Sequence, residues 1–457
     1  VVHNRPQPIH IDKLKPHANF VQHIQYVGLS PSEYFQIAFP RLREVHFGVF
    51  RSNKFSASQL KYRSDEFGPR DKDIAAFVRH NPQIRYLYIN AERRTVSEEL
   101  WGSVLETLHR PTRLEYAFRG SVFIQPAFWE ACTSFEEISI NGSMLRHLVI
   151  LSTLKFPRLL RLSIVMDIYF TTLTSHSVVV ELFKLCPNLT HLHWKARVLH
   201  VGAGHNAPFV GALEQRNWPR LEDLSLEPFK STDEVVSNVI RRLPPLKRLH
   251  LVAPHFAEQS FFYLQEGLFS CLRSLDLSRS LKMTSRMVLD TLLQCAQLEV
   301  FRAYHVSVVD IKATPQSWAC VGLKELQVYF ASDPTDSEAN TLVFKQLAKL
   351  ASLATLDVGA NWSSEISVET VSELKSRGTL QFSLRQGGSC GLECLSTLNS
   401  LRNLSFMGTV QDMREEDVEW MCEQWPILEK VNGQFSGDSE KHERIVAVLK
   451  RKGIKCY

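Results

Sequence analysis

No stretch of about 18 or more apolar residues interrupts this 457-residue sequence, so it holds no candidate membrane-spanning helix. Its N-terminus, VVHNRPQPIHIDKLKPH, lacks the apolar core of a signal peptide, which points to the cytosol or nucleus. No Walker sequence, G-x-S-x-G or H-E-x-x-H is present, and VGAGHNAPF from Val201 lacks the third glycine of a dinucleotide fingerprint. No credible catalytic site or cofactor site emerges, and the chain reads as a non-enzyme. Its 53 basic and 48 acidic side chains are interspersed without a basic block, which argues against a nucleic-acid partner.

Nine cysteines at irregular spacing do not make a disulfide framework. Cys390 and Cys394 form C-x3-C, but no second pair or nearby histidine completes a zinc set, so no metal site is expected. Four N-x-S/T triplets, at Asn141, Asn188, Asn361 and Asn403, read as chance without a secretory leader. Ordinary apolar and charged fractions, 44% and 22%, and 27 Phe against 20 Gly describe a chain that folds.

What the sequence does contain is a repeat. FPRLREVHF from Phe39, NPQIRYLYI from Asn81, CTSFEEISI from Cys132, FPRLLRLSI from Phe156, CPNLTHLHW from Cys186 and WPRLEDLSL from Trp218 align in register. The series continues with LPPLKRLHL from Leu243, FSCLRSLDL from Phe269, CAQLEVFRA from Cys295 and CVGLKELQV from Cys320. It ends with LASLATLDV from Leu350, LNSLRNLSF from Leu398 and WPILEKVNG from Trp425. Anchors at Leu221, Leu246, Leu272, Leu298 and Leu323 lie 25, 26, 26 and 25 residues apart, the period of leucine-rich repeats. PTRLEYAF from Pro111 and GTLQFSL from Gly378 are imperfect copies, and the 42 residues from Leu42 to Ile84 hold an insertion or a degenerate repeat.

Stretches at helical spacing follow many copies: TDEVVSNVIRRL after Ser231, TSRMVLDTLLQC after Met283 and NTLVFKQLAKLA after Ala339. Ser231 with Glu234 and Thr95 with Glu98 fit a capping box, and Glu415, Glu416 and Asp417 suit the first turn of a helix. The expected fold is therefore α/β: a right-handed leucine-rich-repeat solenoid, or horseshoe, with a parallel sheet on the concave face and helices on the convex face. Residues 1–80 read as irregular N-terminal repeats with a long insertion, 81–435 as the array, and 436–457 as a C-terminal capping helix, in one continuous solenoid.

In L-x-x-L-x-L the leucines face inward and the intervening residues outward, because strand side chains alternate. The outward positions of the central repeats are His191, His193, Lys195, Asp223, Ser225, Glu227, Arg248, His250, Ser274, Asp276 and Ser278, then Arg302, Tyr304, Glu325, Gln327 and Tyr329. This polar face of mixed sign, with Tyr and Arg among it, is the candidate partner-binding surface. Cys132, Cys186, Cys295 and Cys320 stand three residues before their anchors, where a small apolar side chain packs the helix-to-strand corner. His191 and His193 share a face, with His200 and His205 beyond, but no acidic or thiol ligand joins them.

CPNLTHLHW, WPRLEDLSLE, LPPLKRLHL, GLKELQVYF and EDVEWMCEQWPILEKVNG resemble the fungal F-box and leucine-rich-repeat proteins, with their ribonuclease-inhibitor-like repeats, over about residues 15–455. That resemblance implies the substrate-recognition part of an SCF-type (cullin-RING) ubiquitin ligase receptor, holding a target protein in the concave groove. The F-box that would grip the ligase's adaptor subunit is not among these residues. The chain starts at Val1 rather than Met, so further sequence is expected upstream. The alternative is a stand-alone leucine-rich-repeat scaffold or inhibitor that binds a protein partner in the same groove.

Overall fold

A computed structural model describes residues 11–27, 32–48, 70–92, 96–118, 124–142, 144–145, 154–166, 176–196, 210–211, 213, 218–229, 231–332, 336–359, 379–384 and 391–457. Thr95, His200, His205, Asn361, Cys390 and the glycine-containing loop 201–209 lie outside those residues. The chain divides into two compact units, residues 1–221 and 222–457.

In the first unit the strands are β1 (His23–Val27), β2 (Glu44–Gly48), β3 (Tyr86–Glu92), β4 (Arg113–Phe118), β5 (Glu137–Asn141), β6 (Arg161–Met166) and β7 (His191–Ala196). Each pairs in parallel with the next, so the sheet follows chain order. Helices Asp71–His80, Glu98–Thr107, Pro126–Cys132 and His176–Lys184 fall between strands. The second unit has β8 (Asp223–Glu227), β9 (Arg248–Leu251), β10 (Ser274–Asp276), β11 (Val300–Ser307), β12 (Glu325–Ala331), β13 (Thr355–Asp357), β14 (Asn403–Val410), β15 (Lys430–Gln434) and β16 (Lys455–Cys456). These too are parallel and sequential. Both units are α/β solenoids of the leucine-rich-repeat type.

Register follows the leucines. Leu224, Leu249, Leu275, Phe301, Leu326, Leu356, Leu404 and Val431 stand opposite one another on successive strands, and all are buried. A slip of one residue would turn this apolar row to water, so the pattern itself fixes the pairing.

Most strands are entered through the same turn. The anchor's N–H donates to the carbonyl three residues back: Leu42 to Phe39 at 2.9 Å, Ile84 to Asn81 at 3.2 Å, Leu189 to Cys186 at 3.3 Å and Leu428 to Trp425 at 3.0 Å. That bond closes a β-turn, and Pro40, Pro82, Pro187 and Pro426 occupy its second position, where a fixed φ suits the turn. The apolar-P-x-L signature is thus a turn motif. Its first residue is buried at the corner, as Cys132, Cys186, Cys295 and Cys320 all are. Burial pushes their thiol pKa values up, to about 12 for Cys320. Such thiols stay protonated and unreactive at neutral pH.

Asn81 fills that corner in its repeat, and a buried amide there must satisfy every polar atom. Its Oδ1 accepts from the Phe39 N–H at 2.7 Å, while Nδ2 donates to the carbonyls of Phe77 at 2.9 Å and Ile37 at 3.0 Å. One side chain so closes a helix end and ties two repeats together.

Thr284 and Asp438 cap their own helices, but several other helix N-termini are capped from the neighbouring repeat. Asp233, the first residue of helix Asp233–Ile240, accepts from the backbone N–H groups of Ala257 (2.8 Å) and Gln259 (3.0 Å), at the start of helix Glu258–Leu268. Asp71 does the same for Ser97 at 2.6 Å, and Ser285 for Ser307 at 2.7 Å. The capping box expected at Ser231 and Glu234 does not form: Thr232 is the N-cap, without a side-chain bond. Asp233→Ala is expected to destabilise the protein by about 1–2 kcal/mol, the usual worth of a helix cap, as read from urea unfolding.

The expected helix after residue 436 spans Ser439–Arg451, and the short strand Lys455–Cys456 follows it. Cys394 is disulfide-bonded, a pairing that the irregular cysteine spacing did not announce.

Candidate functional site: the outward face of the strands

Alternation along each strand buries one set of side chains and turns the other outward. In the second unit the outward set converges on a chain of alternating charge across five consecutive strands. Glu227 Oε1 on β8 lies 3.0 Å from His250 Nε2 on β9, and His250 Nδ1 lies 2.9 Å from Asp276 Oδ2 on β10. Arg302 on β11 donates from its terminal nitrogen to the same Asp276 oxygen at 3.2 Å and from Nε to Glu325 Oε1 on β12 at 2.6 Å. Ser278 donates to Asp276 Oδ1 from its N–H (3.1 Å) and its hydroxyl (2.8 Å). Asp276 is therefore only 7% exposed although it sits on the outward face.

With Glu227 and Asp276 ionised, the geometry assigns the imidazole's charge. A carboxylate only accepts, and a neutral imidazole has one N–H to give, so donation to both Glu227 and Asp276 requires the imidazolium. Burial opposes that cation, but the hydrogen bonds and charges of Asp276 and Glu227 outweigh it and lift the His250 pKa to about 9. For Asp276, burial acts to raise the pKa, and the His250 contact with the two Ser278 bonds brings it down to about 2.

The pH dependence follows from the signs. His250 has its pKa raised above the ordinary 6.5, so its contribution is complete below pH 6.5 and is lost as pH rises through about 9. Asp276 has a depressed value, so its contribution is present above pH 3.8 and is lost as pH falls through about 2. Urea midpoints between pH 6 and 10 should fall more steeply for the native sequence than for His250→Gln; parallel curves would contradict the assignment.

Among the other expected face residues, Asp223 and Arg248 pair at 2.7 Å, and Ser225 donates to Glu227 at 3.4 Å. Ser274 and Gln327 are half-buried on the same face. His191, His193 and Lys195 occupy outward positions of β7, in the first unit, where His191 Nδ1 lies 2.8 Å from the Thr190 hydroxyl oxygen. The structure therefore divides the expected set between the two units.

Tyr304 and Tyr329 are corrections. They are 4% and 2% exposed, buried rather than presented. The β11–β12 register shifts between Arg302 and His305, so alternation on β11 breaks at Ala303 and Tyr304 and resumes with His305; Tyr329, opposite His305 on β12, is buried without a shift of its own strand. A bulge leaves L-x-x-L-x-L intact, which is why the motif does not reveal it.

The first unit carries a second outward cluster that the sequence reading left out. Glu44 on β2 meets His23 of β1 and His46 of its own strand. Arg113 on β4 lies over the Tyr86 ring of β3 at 4.8 Å, 3.4 Å from Glu115 and 3.1 Å from Glu137 on β5. Tyr86 donates its hydroxyl to Glu115 at 2.9 Å, and burial together with that carboxylate raises its pKa. The signal was present, since FPRLREVHF, NPQIRYLYI and PTRLEYAF place these residues at the same x positions as the central copies.

No protein-family model matches the chain, and no curated protein matches it. Solved structures do. One is a chain from the crystal structure of the Rad7 and Elc1 complex in yeast, 15% identical, with a TM-score of 0.45 over 85% of this chain and 77% of that one.

Proposed function

We propose that this chain is a protein-binding leucine-rich-repeat array whose outward strand face holds a partner, and that it serves as the substrate-recognition part of an SCF-type ubiquitin ligase receptor. The observation that carries the first half is the strand face itself: polar and aromatic side chains in fixed rows on an apolar ladder. Such a wall is organised before a partner arrives, so little ordering is needed on binding. Its charges are already paired with one another, so a partner gains little from net attraction and is selected by whether its own groups match the fixed pattern.

The second half rests on the phrases shared with the fungal F-box and leucine-rich-repeat proteins. A receptor of that kind contributes proximity: it raises the effective concentration of a target lysine beside a charged conjugating enzyme, with no group of its own in the reaction.

Two experiments test the halves separately. The full gene product is expected to co-purify with the purified F-box-binding adaptor, and failure to do so would end the ligase reading. A photo-crosslinking residue at Gln327, on the strand face, is expected to capture a target, whereas one at the exposed helical Lys345 is not. Equal capture from both would remove the strand face as the binding wall.

A further inference from the structure

The phrases SLDLS from Ser274 and TLDVG from Thr355 put an aspartate at the same outward position of β10 and β13. Both carboxylates accept the N–H two residues on, Ser278 to Asp276 at 3.1 Å and Gly359 to Asp357 at 3.0 Å. Their neighbours differ. The strands beside Asp276 present His250 and Arg302, whereas those beside Asp357 present Gln327 and Ser405. Among the described residues no cation pairs with Asp357, and the one charge acting on it is the like charge of Glu325. Burial pushes the Asp357 pKa up and Glu325 adds to this, while the bonds from Gly359 and the Ser405 hydroxyl do not fully offset them.

A second acceptor stands on the same row. Ser405 pairs in register with Asn432 on β15, and the Oδ1 atom of Asn432 is buried without a hydrogen-bond partner. Such an acceptor is uncommon in a folded protein, because the water it loses is not replaced by a donor. Asp357, Ser405 and Asn432 thus set three oxygen-bearing side chains side by side on strands about 4.8 Å apart. Met407, two residues beyond Ser405 on the outward side of β14, is 40% exposed.

We propose that this row receives an arginine side chain of the bound protein. A guanidinium brings the positive charge that Asp357 lacks and spreads five N–H donors over a rigid planar fork, which suits several acceptors in a line; an ammonium is a compact point charge. The methylene stem of the arginine lies along Met407. The chain from Glu227 to Glu325 is already paired, so a partner's cation there would displace an existing contact, whereas at Asp357 it adds one. The proposal rests on the strand face being the binding wall. Crosslinking at Gln327 tests that wall and the titration below tests the row, and each can fail alone.

The probe is N-acetyl-arginine methylamide, titrated against the full chain by ligand-observed NMR. Its comparators are the citrulline compound, neutral and of the same shape, and the lysine compound. The arginine compound is expected to bind saturably in the millimolar range, about tenfold or more tighter than either comparator. Asp357→Asn should lower its affinity about tenfold or more and Asn432→Leu about threefold or more, while Glu266→Gln, exposed on helix Glu258–Leu268, leaves it unchanged. Melting curves of each variant check that it folds, and the three probes compared on the native sequence need no variant at all. The proposal is overturned by no saturable line broadening, by equal affinity for the citrulline or lysine compound, or by a loss in Glu266→Gln equal to that in Asp357→Asn.

Discussion

Leu249→Ala is expected to lower the unfolding free energy by about 2–5 kcal/mol, the range for emptying a buried leucine site. Leu249 is buried at the inward position of β9, opposite Leu224 on one side and Leu275 on the other. Neighbouring strands are held in place by their own ladders, so they cannot collapse into the space, and the cavity persists. Arg248, one residue earlier, points outward with about half its side chain exposed and pairs with Asp223 at the surface. Arg248→Ala should cost less than about 1 kcal/mol, because an exposed pair is screened and holds two flexible side chains. Urea midpoints with an unchanged slope would separate the two; comparable losses would mean that the inward and outward faces of β9 are wrongly assigned.

That contrast was legible in the sequence because burial in a repeat is periodic. The same apolar position recurs in every copy, and each copy confirms the phase of the next, so the strands and their faces follow from counting. What counting could not supply were features that depend on a neighbouring repeat. Asp233 looks like a first-turn acid of its own helix, yet its carboxylate caps helix Glu258–Leu268 one repeat on. Asn81 looks like a polar exception at a corner, yet its amide is matched atom for atom by the backbone around Phe39 and Phe77. Tyr304 carries the right residue type at the right spacing, and a register shift on β11 takes it out of the outward row; Tyr329 is buried although β12 alternates without a shift.

The charge chain is the clearest case of this. In sequence, Glu227, His250, Asp276, Arg302 and Glu325 are separate outward residues about 25 positions apart, each as suited to a partner as to solvent. Stacking makes each the neighbour of the next, and the alternation of sign then becomes a bonded array. Charge reversal at Asp276 and Arg302 looks from sequence like a mild probe of a surface. The geometry shows it to be a probe of stability as well.

Asp276→Lys is accordingly expected to destabilise the protein by about 3–5 kcal/mol, the usual result of removing one partner from a buried ionic array. The substitution takes away the acceptor used by His250, Arg302 and Ser278, and sets a third cation between an imidazolium and a guanidinium. Asp276→Asn separates the two effects. It retains the shape and an oxygen that can accept, but removes the charge that holds His250 protonated, so its loss of stability should be smaller. The His250 pKa should then fall from about 9 toward the ordinary 6.5. Because this group stabilises the fold only while protonated, the alkaline decline in the urea midpoint must move to lower pH in Asp276→Asn. If the decline stayed where it is in the native sequence, His250 would not draw its charge from Asp276, and the array would be a set of independent surface contacts.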